Sequence, residues 1–367
     1  MKKVLFFVFL SAALLNSLVF AKGVLISNSD KKALYDAKNC FISNDFGNAM
    51  KLCEAAKARR NENIKWELRC LNNSFKSYEV KRYGDSISLS MEKLKERQDE
   101  DSIAIINKYI ELFGVEKFND SKKSLLAFVE SRNSYPEVEY LTGKIYQVEG
   151  EYDVAYSFFQ KALAFADNLD VPEEKFDILY SISELSYLKG DMNQYEIDLL
   201  QIVSQDKHFL QDHLKKSIRN SISNVKSDCV EKFFKMFRNE NYRVMDAYCS
   251  LAKLYDSMNE KQRCLDCIAM GTLTGFTKII DVVTKRNPDF EYVDLNSLLV
   301  EASGHEDIVK WGKDNNLWES FYLLSVASHK AESPIFSVNL LKVLSNSLPD
   351  EYWRNSSKIK LSEITVH

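Results

Sequence analysis

The chain reads as all-α, an α-solenoid of stacked helical hairpins, and three observations predict it. Only 11 glycines and 5 prolines occur in 367 residues, too few for the turns of a many-stranded sheet protein. Between Glu139 and Ala162, the residues Gly143, Tyr146, Gly150, Tyr152, Ala155, Phe159 and Ala162 follow the order that two closely packed helices require. The aromatic that opens the second helix, Tyr152, has counterparts at Phe46, Tyr83 and Phe118, giving successive steps of 37, 35 and 34 residues. Such a unit cannot bury its apolar face alone, so neighbours must stack against it and leave a surface rather than a catalytic pocket.

The first element is an export signal, residues 1–21. Lys2 and Lys3 form its positive end, Val4 to Phe20 is apolar with a break at Asn16 and Ser17, and Val19-Phe20-Ala21 suits cleavage after Ala21. The mature chain then starts at Lys22. An uncleaved anchor helix is the alternative, since 17 apolar residues lie at the lower edge of spanning length. Contact with a membrane is expected only through this segment, if it stays uncleaved. No cysteine follows it closely, the first being Cys40, so an acyl anchor is not supported. Both readings put the body of the chain beyond the inner membrane of a bacterium, in the periplasm or secreted.

The helical array is expected over residues 22–290. Numbering the clear unit so that Gly143 takes position 8 and Tyr152 position 17 puts Cys40, Phe46, Ala49, Cys53 and Ala56 at positions 11, 17, 20, 24 and 27 of an earlier one. Further on, Gly190, Met192 and Tyr195 continue the register after a step of 40 that allows a longer turn around Val171-Pro172. Another unit contains Leu251, Ala252, Tyr255, Lys261, Cys264 and Ile268, and an intervening second helix would carry Cys229 and Phe233. Small side chains at positions 8 and 20 let two helices approach, and large ones at 11 and 24, such as Tyr146 and Phe159, fill the wedge to the next pair. Residues 291–367 form less regular capping hairpins: Leu295 to Ser303 with Asp307 to Trp311, and Trp318 to Ala327 with Ile335 to Leu344.

In these residues and this spacing the chain resembles the tetratricopeptide-repeat family, over about residues 30 to 290. The resemblance implies a right-handed superhelix whose concave groove, lined by the first helix of each pair, binds a peptide or partner protein. At the groove positions stand Glu137, Tyr140, Lys144 and Gln147 in the clearest unit, and Asp177, Tyr180, Glu184 and Tyr187 in the next. Family members that clamp a C-terminal carboxylate use Lys and Asn at these places, and Tyr140 with Lys144 does not reproduce that clamp. Tyrosine suits a groove because it offers contact area and a polar tip at low entropic cost. The competing reading makes Tyr140, Tyr180 and Tyr187 packing residues between repeats.

Seven cysteines in an exported chain ask for a redox account. Positions 11 and 24 of a hairpin come within reach, so Cys40 with Cys53 is a candidate disulfide, with Cys53–Cys70 as the alternative. Cys249 with Cys264 or Cys267 is the downstream candidate. The odd count leaves at least one thiol free or paired between chains. Cys264-Leu265-Asp266-Cys267 matches a C-x-x-C motif formally but lacks the strand-helix-strand context of a redox site, and a zinc site of this kind needs a second close pair.

No catalytic residue, metal or cofactor is assigned. The five histidines form no H-E-x-x-H, and neither a G-x-S-x-G elbow nor a phosphate-binding glycine loop occurs. Ser303-Gly304-His305-Glu306-Asp307 is the one cluster of mixed acid and base character, placed where a turn and a helix cap are expected anyway. A net charge of −4 without long single-sign blocks gives no footprint for nucleic acid. The functional expectation is a non-catalytic scaffold that holds a partner polypeptide, a component of an envelope assembly. The alternatives are a cell-wall-active enzyme with its site beyond Asn287, and a secreted effector.

Overall fold

A computed structural model describes residues 29–83, 86–209, 211–236 and 241–366. The expected export signal, residues 1–21, lies outside them. The described chain is all-α apart from one two-stranded hairpin. It divides into two compact units at Ile178/Leu179.

In the first unit, α1 (Ser29–Ile42) and α2 (Phe46–Ser77) are joined by Ser43-Asn44-Asp45. Asn44 takes the left-handed φ of 59° that reverses the chain, a conformation asparagine tolerates. Asp45 caps α2 by accepting the Asn48 N–H at 3.2 Å. The seam is built from small side chains: Ala33, Ala37, Ala49, Cys53 and Ala56 are buried, and α7 (Pro136–Val148) adds Tyr135, Val138 and Leu141 to the same cluster.

α7 and α8 (Tyr152–Ala164) form the pair the sequence marked most clearly. Gly150 makes the turn with φ 82°. Gly143 is indispensable to the seam, because a Cβ there would lie 2.5 Å from Cε1 of Phe159 and 3.2 Å from the Ala155 carbonyl oxygen. Tyr146 stacks on Phe158 with ring centres 5.5 Å apart.

Between these pairs the repeat register fails. Tyr83, expected to open a helix, is the last residue of strand β1 (Glu79–Tyr83), which pairs antiparallel with β2 (Ser86–Ser90). Short helices follow: α3 (Glu92–Glu96), α4 (Glu100–Phe113), α5 (Val115–Asp120) and α6 (Lys122–Ser131). Phe118 is buried, but in the six-residue α5, against Phe75 and Tyr78. Together with the second half of α2 these elements enclose a separate core of Ile64, Leu71, Leu94, Ile105, Ile106, Tyr109, Phe118, Leu125 and Val129.

The division falls inside α9 (Glu174–Leu188), whose later part opens the second unit. There follow α10 (Met192–Val203), α11 (Asp212–Ile222), α12 (Cys229–Met236), α13 (Met245–Ser257) and α14 (Lys261–Arg286). α14 is the central helix. It packs on α13 and on α17 (Leu317–Lys330), and at Gly275 the approach is so close that a Cβ would meet Cδ1 of Leu317 at 2.3 Å. Residues on either side of position 290 therefore share one core. Phe233, Phe234, Phe276, Phe321 and Phe336 are its aromatic centre.

α15 (Leu295–Ser303), α16 (Glu306–Asp314), α17 and α18 (Pro334–Ser347) coincide with the two pairs expected at the C-terminal end. Asp294 and Ser297 form a reciprocal capping box that fixes the start of α15. A further helix, α19 (Glu351–Val366), packs on α18 and was not anticipated.

Candidate partner-binding surface

The eight residues expected to line a groove divide into framework and surface. On α7, Glu137 is only 4% exposed, and its carboxylate accepts the Asp170 N–H at 2.7 Å. Burial raises its pKa, opposed by the backbone hydrogen bonds it accepts. Glu137 is thus a correction to the groove assignment: it sits inside the unit. Tyr140 is half-buried, its ring 5.6 Å from that of Phe159. Lys144 donates to Oε1 of Gln147 at 2.7 Å, and both side chains reach solvent. On α9, Asp177 is partly exposed within the first unit.

In the second unit Tyr180 is also framework. Its hydroxyl donates to the Arg243 carbonyl oxygen at 2.7 Å and accepts the Ala247 N–H at 3.1 Å, so its polar tip is consumed where α13 begins. Burial raises the pKa of this phenol. Glu184 and Tyr187 are exposed, and the Tyr187 ring leans on Tyr195 at 5.3 Å. The candidates that reach solvent are thus Tyr140, Lys144, Gln147 and Asp177 on the first unit and, taken by itself, Glu184 with Tyr187 on the second.

All seven cysteines are free thiols, so neither Cys40–Cys53 nor Cys249–Cys264 is bonded. Their sulfurs serve as small packing atoms. Sγ of Cys249 lies 3.1 Å from the position a Gly271 Cβ would take, and Cys53 packs in the alanine seam beside Thr142. In the C-x-x-C sequence, burial pushes the Cys264 thiol up to about 11 and Cys267 up to about 12. Thiols so protonated are poor nucleophiles. No group of three or more His, Cys, Asp or Glu is arranged to hold a metal among the described residues.

The Ser303–Asp307 cluster is a helix junction. Ser303 donates to the Val300 carbonyl oxygen at 2.6 Å, His305 stands 3.7 Å from Glu301, and Asp307 pairs with Arg286. An open recess at the start of α18 is lined by Pro334, Ile335, Val338 and Asn339, with no acid or base among them.

Sequence reasoning missed a set of buried polar groups at the start of α7. Arg60 of α2 lies over the ring of Tyr135 at 3.5 Å and donates to Asp30 of α1 at 2.9 Å. Tyr135 is 3% exposed. The nearest sequence signal is Tyr135-Pro136-Glu137, with proline at the first helical position; its partners in α1 and α2 lie too far away along the chain to be paired by pattern.

No protein-family model matches the chain. It is similar to an uncharacterised protein of Treponema pallidum (strain Nichols), 25% identical over 278 residues that cover 75% of this chain and 74% of the relative. A second uncharacterised protein, from Borreliella burgdorferi (strain ATCC 35210 / DSM 4680 / CIP 102532 / B31), is 21% identical over 216 residues, 53% of this chain and 66% of that protein. These likenesses bring no activity with them.

Proposed function

We propose that this chain is a non-catalytic interaction scaffold of the bacterial envelope, periplasmic or secreted, built from tetratricopeptide-like hairpins stacked as an α-solenoid. It holds a partner polypeptide through the exposed faces of first helices such as α7 and α9. The observation that carries the reading is the α7/α8 pair, where Gly143 meets Phe159 at a distance only a glycine permits. Repeat hairpins pack with that closeness and spend their remaining faces on neighbours and partners. Tyr140, Lys144, Gln147, Glu184 and Tyr187 supply the aromatic area and mixed charge that suit a peptide.

The test is photo-crosslinking in the native envelope from positions 140 and 187, with identification of the captured chain. One defined polypeptide is expected, and replacing Tyr140, Lys144 and Tyr187 by alanine should abolish its capture while leaving helical content unchanged. Capture that survives the triple replacement sinks the assigned surface.

A further inference from the structure

The start of α7 holds more acceptors than donors. Asp30, Arg60, Tyr135, Glu137 and Asp170 converge from α1, α2, α7 and the segment after α8, and the charges of all four ionic groups act on the Tyr135 hydroxyl. Two of the oxygens gathered there have no hydrogen-bond partner: Oη of Tyr135 and Oε2 of Glu137. Their residues are 3% and 4% exposed. An unpaired carboxylate oxygen at that depth is costly, and natural interiors satisfy nearly all such atoms.

The formal charges do not cancel. Asp30 is paired with Arg60, and Asp170 with Lys31 at 2.8 Å, which leaves the Glu137 carboxylate without a counter-ion. The missing charge is a single positive one, the Glu137 oxygen lacks a donor, and the Tyr135 hydroxyl, felt by the same carboxylate, is able to accept one as well. A divalent ion is disfavoured because the Arg60 guanidinium already occupies one side. A primary ammonium meets every requirement: one charge and three rotatable donors. The nearest exposed feature is Lys31–Asp170, a half-exposed pair of the kind that contributes little to stability.

We propose that Glu137 and Tyr135 form a binding site for a primary ammonium, with Glu137 as counter-ion and the Tyr135 hydroxyl as acceptor. This deepens the scaffold reading, on which the carrier of the amine rests: a lysine side chain of the bound polypeptide. The site itself stands on the first unit alone.

The experiment is thermal unfolding of the full chain, followed by circular dichroism, in matched concentrations of methylammonium and tetramethylammonium chloride. Methylammonium several-fold above its Kd should raise Tm by about 2–4 °C over tetramethylammonium, which lacks donors. Glu137→Gln should remove the difference, and Tyr135→Phe should weaken the apparent affinity several-fold. Equal Tm for wild type in the two salts overturns the proposal, as does an undiminished difference in Glu137→Gln. A repeat with acetyl-lysine methylamide separates the sources: a response to it supports a lysine side chain, and a response to methylammonium alone supports a free amine. An ammonium response without any crosslinked polypeptide sinks the scaffold and keeps the site; a crosslinked polypeptide without the response does the reverse.

Discussion

The hairpins α7/α8 and α13/α14 solve one packing problem with different residues. Each places a glycine of one helix against the other, yet Gly143 faces an aromatic ring at 2.5 Å from its would-be Cβ, whereas Gly271 faces the Cys249 sulfur and Tyr248 Cβ, both at 3.1 Å. Each also begins its first helix with an acid at the second residue, Glu137 or Asp246, that keeps an unpartnered buried oxygen. A helix N-terminus attenuates the cost of such a charge without replacing a hydrogen bond. The difference between the pairs teaches where tolerance lies. A ring seated on a glycine fixes the seam, while a sulfur leaves room to adjust.

The sharpest way to break this comparison is Gly143→Val. The added methyls have only the Phe159 ring to enter, so the first unit should lose about 3 kcal/mol by urea denaturation. Gly271→Ala should instead stay within about 0.5 kcal/mol of wild type, its tighter contact offset by the better helix propensity of alanine. Similar losses at the two positions would erase the distinction.

The second effect is a pH dependence at Asp246. Burial pushes this carboxyl up to about 6, opposed by Lys253 and a hydrogen bond from Asn316. An unfolded aspartate ionises near 3.9, so ionisation is harder in the folded chain. The stability tied to the neutral acid is complete below about pH 4 and is lost as pH rises through about 6. Asp246→Asn should therefore gain about 2 kcal/mol at pH 7.5, little at pH 4, and flatten the profile between them. A variant that loses stability at pH 7.5 would assign the carboxylate a partner instead.

Smallest is Tyr180→Phe, which removes one hydroxyl making two backbone hydrogen bonds at the start of α13. A loss of about 1–2 kcal/mol is expected, with partner capture unchanged. Loss of capture at full stability would return Tyr180 to the binding surface.

Local features of the fold were legible where neighbouring residues determine them. Gly143, Ala155 and Phe159 announce their hairpin because the contact they make lies within 16 residues. The hairpin β1–β2 was legible in principle, since Gly84-Asp85 lies between Val80 and the alternating Ile87 and Leu89, a two-residue turn signal. Tyr83 hid it by falling on the repeat spacing. The burial of Glu137 was not legible, and for Tyr180 the packing reading stood beside the groove reading with nothing in the sequence to choose between them. Their polar tips are taken up by Asp170 and Arg243, 33 and 63 residues further on, and no periodicity encodes such pairings. Tyr187 is exposed and Tyr140 and Lys144 are half-buried, degrees of exposure that follow from the faces of their own helices.

α14 carries a consequence for biogenesis. Its 26 residues are long and apolar enough to cross a bilayer, although 67% of the apolar window is buried within the fold. On the export route proposed above, the unfolded chain would have to carry this stretch across a bilayer before the second unit could enclose it. Thr272, Thr274 and Thr277 lower its hydropathy, and once folded they hydrogen-bond the carbonyls of Ser320, Met270 and Leu273. Of these three bonds only that of Thr272 ties α14 to another helix, and those of Thr274 and Thr277 run back within α14, so on that route the polarity of this helix would be partly self-satisfied and the Thr272 bond would form last, once α17 arrives.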